Sequence, residues 1–280
     1  MKFLKVSALA ASALVALSMA ASAADKIDNC EVTGKKASMK IDKPAQGGQL
    51  TLETNLPAPV WYNGDTAESI KDGMEYCLAA EIAWRAGLAK VKLVPVDWDA
   101  LIAGQTHDFD LAMSEISITE ERKKVHDFST PYFNSDIGVL TRTDAPVDGT
   151  TIKKAKVGVQ QATTGAAYAT DKLGFASPQT YPDAGSMFAA LGAGQIDVAM
   201  TDTSIVLAQE VEGKGKFKVV GQYQTGETYG AIYPKGNPNN ATFDKIIASI
   251  IADGTMAKLS AKYLAASWGK DPATIPYFKP

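Results

Sequence analysis

Two cysteines and two histidines are all that this 280-residue chain contains, too few for a zinc site built from those side chains. His107 lies in a polar turn and His126 beside Asp127, and no Ser, His and Asp spacing resembles a hydrolase elbow. Gly192-Ala193-Gly194 is not followed by Lys-Ser/Thr, so it reads as a helix stop and not as a phosphate loop. Basic residues form no cluster and acids outnumber them, 31 against 28, which argues against a nucleic-acid partner. Beyond the N-terminus no apolar run is long enough to span a bilayer. Low-complexity segments and short repeats are also missing. The expectation is a chain with no metal and no cofactor.

The N-terminus is different. Lys2 and Lys5 precede an apolar run from Val6 to Ala20, and Ala21-Ser22-Ala23 is a small-residue cleavage pattern. This reads as a secretory signal peptide over residues 1–23, hence export. Cleavage after Ala23 leaves 257 residues and takes the formal charge from −3 to −5, because the two lysines go with the leader. That length is enough for one large domain or two modest lobes. In an oxidising compartment the simplest use of Cys30 and Cys77 is a disulfide, which would tie the polar extension to the first helix. Closing a loop of that length adds about 2–4 kcal/mol. Two buried thiols are the alternative.

Further along, strand and helix patterns alternate. Gln49 to Thr54 alternates as a strand and stops at Asn55-Leu56-Pro57-Ala58-Pro59, with Trp61 and Tyr62 in the loop beyond. Ile70, Met74, Leu78 and Ile82 recur at helical spacing, predicting a helix over Ile70–Ala86 that ends near Gly87. Val91–Val96 follows as a strand, and Asp97-Trp98-Asp99 opens a short helix. The same alternation starts again at Ala155: strands over 156–160, 196–201 and 217–221, helices from Ala162, over 183–191 and over 203–211. One more strand over 227–233 and helices over 242–252 and 255–267 complete the pattern. The fold class is α/β, with largely parallel sheets covered by helices.

Chemistry-bearing residues concentrate in DLAMSEISITEERKKVHDFSTPYF, Asp110 to Phe133. A strand over 109–113 runs into Ser114, Ser117 and Thr119. Thr119 or Ser117 can cap the short helix that follows, since Ser117 to Glu120 has capping-box spacing. Arg122 follows, and a guanidinium beside hydroxyls offers a planar fork to a carboxylate. A solvated pairing of Arg122 with Glu120, Glu121 or Asp127 is the plainer reading.

This stretch resembles the periplasmic polar amino-acid-binding proteins of ABC importers, whose pattern here is a strand, M-S-x-x-S-I-T-x-x-R, then D-F-S-x-P-Y. The likeness extends with gaps over about residues 48–268. It implies the two-lobe type II periplasmic binding protein fold, with the chain crossing between lobes near Val139–Asp144 and Gln222–Ile232. Residues 24–47 would be an N-terminal extension, 48–142 and 224–280 one lobe, and 143–223 the other. The resemblance implies a free amino acid held in the cleft and handed to a membrane permease. Arg122 would take its carboxylate, with Ser117 and Ser114 contributing from the same lobe. Thr163 and Thr164, in V-G-V-Q-Q-A-T-T, would donate backbone or hydroxyl hydrogen bonds at a helix N-terminus. Asp202, in I-D-V-A-M-T-D, matches the acid that binds the α-ammonium.

Three positions depart from the commonest family pattern: Asn55 where Asp is frequent, Glu115 where a small or hydroxylated residue is frequent, and Ala162 where Gly is frequent. Glu115 either faces a cationic side chain of the solute, helps hold its ammonium, or points into solvent. Thr163 and Thr164 could be plain helix caps, and Asp202 could cap the helix at Thr203. Trp61 and Trp98 read either as core or as pocket walls that grip an apolar or cationic group. The main rival is an enzyme, a periplasmic cyclohexadienyl-type dehydratase, since fold alone does not separate the two. A sensor ectodomain would need a membrane-spanning continuation, which the residues up to Pro280 do not supply. The expected assembly is a monomer.

Overall fold

The computed structural model describes residues 24–280, so the leader reading of residues 1–23 lies outside it. The extension begins as a hairpin, β1 (Lys26–Ile27) against β2 (Cys30–Glu31). Cys30 is disulfide-bonded to Cys77, with Cα atoms 5.2 Å apart. This pins the hairpin on the first helix, as expected.

β3 (Gln49–Thr54) is buried over its whole length. After it comes α1 (Met74–Ala86), four residues later than the apolar spacing predicts. The reason is Gly73, whose φ of 128° breaks the turn and whose absent Cβ would stand 2.3 Å from the Trp61 carbonyl oxygen. Gly87, left-handed with φ 84°, ends the helix. All of α1 is buried. Two of its three acidic or basic residues, Glu81 and Arg85, pair at 2.7 Å, and Arg85 also reaches Asp253 at 2.7 Å.

β4 (Lys90–Pro95), α2 (Trp98–Ile102), β5 (Leu111–Ala112), β6 (Asp127–Phe128) and β7 (Phe133–Arg142) follow. Next are β8 (Val157–Gln160), α3 (Thr164–Ala167, continuing as a wider turn to Lys172), β9 (Gln179–Tyr181), α4 (Ala184–Gly192), β10 (Val198–Asp202) and α5 (Thr203–Glu212). The chain closes with β11 (Phe217–Tyr229), β12 (Ile232–Tyr233), α6 (Asn240–Ala252), α7 (Thr255–Leu259) and α8 (Ala266–Trp268). Among the described residues no helix is long and apolar enough to cross a membrane.

The strands form two five-stranded sheets, β4-β3-β5-β12-β6 and β11-β7-β10-β8-β9. In the first, β4, β3 and β5 are parallel; in the second, β9, β8 and β10 are. Antiparallel β7 and β11 run together from one unit to the other. Their inner halves pair within the second sheet, and beyond a register shift Ser135 and Phe133 face Glu227 and Tyr229.

This ribbon corrects three expectations. Thr141 to Ile137 pair residue by residue with β10, so the first crossing falls before Ile137 and not over Val139–Asp144. Glu227–Tyr233 is not a strand of its own: β11 continues through Tyr229, and only Ile232–Tyr233 joins the first sheet. Finally, the C-terminal tail returns to the second sheet and not to the first, since Phe278 N–H donates to Gln222 O at 2.8 Å and its ring sits over Gly221.

Candidate functional site

The carboxyl ends of parallel strands from both sheets converge on one cleft, where α/β folds commonly place ligands. β3 ends at Thr54-Asn55, β5 runs into Ser114, β8 ends at Gln160 and β10 at Asp202. The space between the walls, counting the solvent at its mouth, is ≈ 780 Å³. All ten residues singled out from the sequence line it: Asn55, Trp61, Trp98, Ser114, Glu115, Ser117, Arg122, Thr163, Thr164 and Asp202. Pro57, Pro59, Phe188 and Ile205 add apolar wall.

Arg122 opens a single tight turn, the short helix expected at this place, and Thr119 caps it by accepting the Arg122 N–H at 3.2 Å. The side chain is 7% exposed and lies over the Trp98 ring, 5.3 Å from its centroid. It pairs with none of Glu120, Glu121 or Asp127: Lys123 and Lys124 take the first two, and Lys235 the third. Instead it donates to Ser117 O at 2.8 Å and to Ala162 O at 3.1 Å. Three of its five N–H groups remain for a solute. The second of these bonds reaches from one sheet's unit to the other.

Asp202 ends β10 and makes no capping bond to α5, although it occupies the capping position. It accepts the Tyr229 hydroxyl at 2.5 Å. Burial, and then the charge of Glu227, push its carboxyl up to about 7. Thr163 behaves as a plain cap: its hydroxyl donates to Gln160 O at 2.7 Å and accepts from Ala166 N–H at 3.1 Å. Thr164 donates its hydroxyl to Glu227 at 2.7 Å. Each hydroxyl has one proton, so of the backbone or hydroxyl donors expected at these two positions the hydroxyls are already engaged within the protein. What they leave for a bound carboxylate is the backbone N–H groups of the first turn of α3.

Ser117 likewise donates to Glu227, at 2.6 Å, instead of capping the turn. Ser114 accepts the Asn55 N–H at 3.1 Å, and the Asn55 amide donates to Val96 O at 3.0 Å, stitching two strand ends together. Trp61 lines the cleft from below, its ring edge-on to Phe133 at 5.2 Å and to Tyr229 at 5.8 Å. It is therefore both core and pocket floor.

Glu115 points into the cleft from a left-handed residue, φ 49°. A non-glycine residue there needs support, and Glu75 gives it by accepting the Glu115 N–H at 3.1 Å. Glu75 is itself fully buried and accepts the Tyr132 hydroxyl. Burial pushes Glu75 up to about 7, against the pull of the Tyr132, Glu115 and Tyr62 hydrogen bonds. Glu115 is pushed well above the carboxylate range, first by burial and then by Glu75 and Asp202. One oxygen of each has no hydrogen-bond partner.

Sequence reasoning missed Glu75, Glu227 and Tyr229. A glutamate between Met74 and Tyr76, in a helix buried on every side, is the signal that could have revealed Glu75. Glu227 carries no local signal, because its partners stand 110 and 63 positions away.

Two α/β units joined by a paired ribbon, with a cation on one wall and a carboxylate on the other, define a two-lobed solute-binding protein with the type II periplasmic fold. The chain belongs to the bacterial extracellular solute-binding proteins, family 3, which it matches over residues 53–266. It is 28% identical to the L-cystine-binding protein TcyJ of Escherichia coli K12 over 235 residues, 81% of this chain and 86% of that protein. The arginine-, lysine-, histidine-binding protein ArtJ of Geobacillus stearothermophilus superposes with TM-score 0.69 at 28% identity, covering 80% of this chain and 96% of that one. The ancestral amino acid-binding protein AncCDT-1, a precursor of cyclohexadienyl dehydratase, superposes with TM-score 0.67 at 29% identity, covering 78% and 95%.

Proposed function

We propose that this protein captures a free α-amino acid in the periplasm and presents the closed, loaded form to the permease of an ABC importer. The observation that carries the reading is the facing pair Arg122 and Asp202. A guanidinium with three unused N–H groups and a buried carboxylate, on opposite walls of one cleft, match the two charges of a zwitterion. Ligand contacts to both lobes favour closure when solute is bound.

With those charges matched, Glu115 is the ionisable lining group left over, and its unpaired oxygen asks for a donor. The solute therefore has a polar side chain, and a cationic one fits best, with Trp98 and Trp61 as the aromatic walls. Binding without turnover is the corresponding expectation, and the protein works as a monomer.

A thermal-shift screen of the mature protein against the common amino acids, with product analysis on each hit, tests this. Arginine, lysine, ornithine or histidine should give the largest shift and be recovered unchanged. A prephenate-like acid consumed during incubation would move the protein to the dehydratase class, and no shift with any amino acid would refute the reading.

A further inference from the structure

Glu227 stands where β11 leaves the second sheet, just past the register shift that follows Tyr223. One of its oxygens, Oε2, accepts the Ser117 hydroxyl from the first unit at 2.6 Å and the Thr164 hydroxyl from the second at 2.7 Å. Both hydroxyl residues line the cleft, whereas Glu227 is not among the residues of its wall. Ser117 is buried, 2% exposed.

A serine or threonine hydroxyl has one proton and two lone pairs. Once the proton is committed to a carboxylate behind it, the oxygen can offer only lone pairs to whatever fills the cleft. Charge-assisted O–H···O⁻ bonds are among the stronger hydrogen bonds, so that orientation is held firmly.

We infer that Glu227 is a positioning residue that sets the hydrogen-bond polarity of the cleft: it turns Ser117 and Thr164 into acceptors and so selects a solute that brings N–H donors to them. The inference rests on the amino-acid reading of the same site. The α-ammonium then finds three oxygens of the right polarity, those two and a carboxylate oxygen of Asp202. The α-carboxylate is left to Arg122 and the backbone N–H groups of α3. A solute with a carboxylate but no α-amino group would leave the two lone-pair-bearing oxygens and Asp202 unpaired, which is the costly case in a buried site.

The test is a ratio. Calorimetry measures Kd for L-arginine and for 5-guanidinopentanoate, which is arginine without its α-amino group, on the wild type, Glu227→Ala and Glu227→Gln. Should another amino acid lead the thermal-shift screen, the same pair is made from it and its des-amino acid. In Glu227→Ala the hydroxyls can turn and donate to a carboxylate, so the preference for the amino acid over its des-amino counterpart should fall about tenfold or more. Glu227→Gln keeps an acceptor oxygen of the same shape without the charge, and should hold the ratio within about threefold of wild type.

A collapse in both variants would show that the charge of Glu227, and not hydroxyl orientation, makes the selection, and would overturn the inference. So would an unchanged ratio in Glu227→Ala. If Glu227→Ala does not fold, the thermal melt shows it, and Thr164→Val, which removes one of the two acceptors, must lower the same ratio for the inference to stand. If the wild type binds no amino acid at all, the reading of the site fails first and this inference with it.

Discussion

Replacing Arg122 tests the site most directly, because the guanidinium has two jobs that different substitutions separate. Its bonds to Ser117 O and Ala162 O brace the cleft, and the remaining N–H groups are the fork for a carboxylate. Arg122→Ala leaves a bound carboxylate without its charge partner in a site where the side chain is 7% exposed. Truncating one member of a buried charged pair costs about 2–5 kcal/mol, a loss of about 30-fold to several thousand-fold in Kd. Arg122→Lys keeps the charge but has no planar fork, cannot serve both carbonyls and a carboxylate in the same geometry, and stacks less well on Trp98. A loss of about tenfold or more is expected for it. Isothermal titration with the best amino acid from the thermal-shift screen reads both values. An Arg122→Ala protein that melts like wild type and binds within about threefold of it would refute the assignment.

Asp202→Asn should weaken the same amino acid by about tenfold or more while hardly affecting its des-amino analogue, because only the ammonium loses its counter-charge; calorimetry on the pair decides it. Burial holds the Asp202 and Glu75 carboxyls up to about 7, against ordinary values of 3.8 and 4.5. The solute-free fold therefore holds protons that the unfolded chain has lost, so its stability should fall as pH rises from about 4 to 7 and level off above. Binding of an ammonium to Asp202 should release a proton in the upper part of that window, seen as a dependence of the calorimetric heat on the buffer's ionisation enthalpy; equal heats at pH 6.5 in all buffers would contradict it. Glu115→Gln should lower affinity for arginine or lysine about tenfold with little change for glutamine, and equal losses would remove Glu115 from side-chain selection. Cys77→Ser opens the 47-residue loop and should cost about 2–4 kcal/mol in denaturant unfolding, the usual effect of losing a disulfide; a melt unchanged by reductant would contradict it.

How far these features can be read from the chain depends on how local their causes are. Strand periodicity, the apolar spacing of α1, the pairing of the two cysteines and the cluster of hydroxyls before Arg122 all lie within a few residues, or follow from a count of two. The start of α1 at Met74 was hidden because it depends on Gly73 pressing against the carbonyl of Trp61. The crossing point was hidden because the register of β7 against β10 is a pairing between residues about 60 apart. Local spacing made Thr163 equally a cap or a ligand donor, and the structure gives it to the cap. Glu227 was invisible for the same reason as the crossing: its meaning comes from two hydroxyls brought together by strands from different parts of the chain.

The ribbon of β7 and β11 works as a fulcrum. At its irregular point Asp136 accepts the N–H groups of Thr225 and Gly226 at 2.8 and 3.1 Å, and the Tyr277 hydroxyl donates to its other oxygen at 2.7 Å. When two lobes turn about such an axis, an atom's travel grows with its distance from it. Glu227, on the ribbon itself, moves least, so its grip on Ser117 and Thr164 can guide the walls like a pivot pin while the lobes swing. The Arg122 bond to Ala162 and that of Gln161 to Asp99 span the gap away from the ribbon, where the same rotation gives the larger travel. The C-terminal tail, laid along β11 and tied to Asp136 through Tyr277, splints one side of the fulcrum, so shortening this tail should change how easily the empty protein swings without touching any group in the cleft.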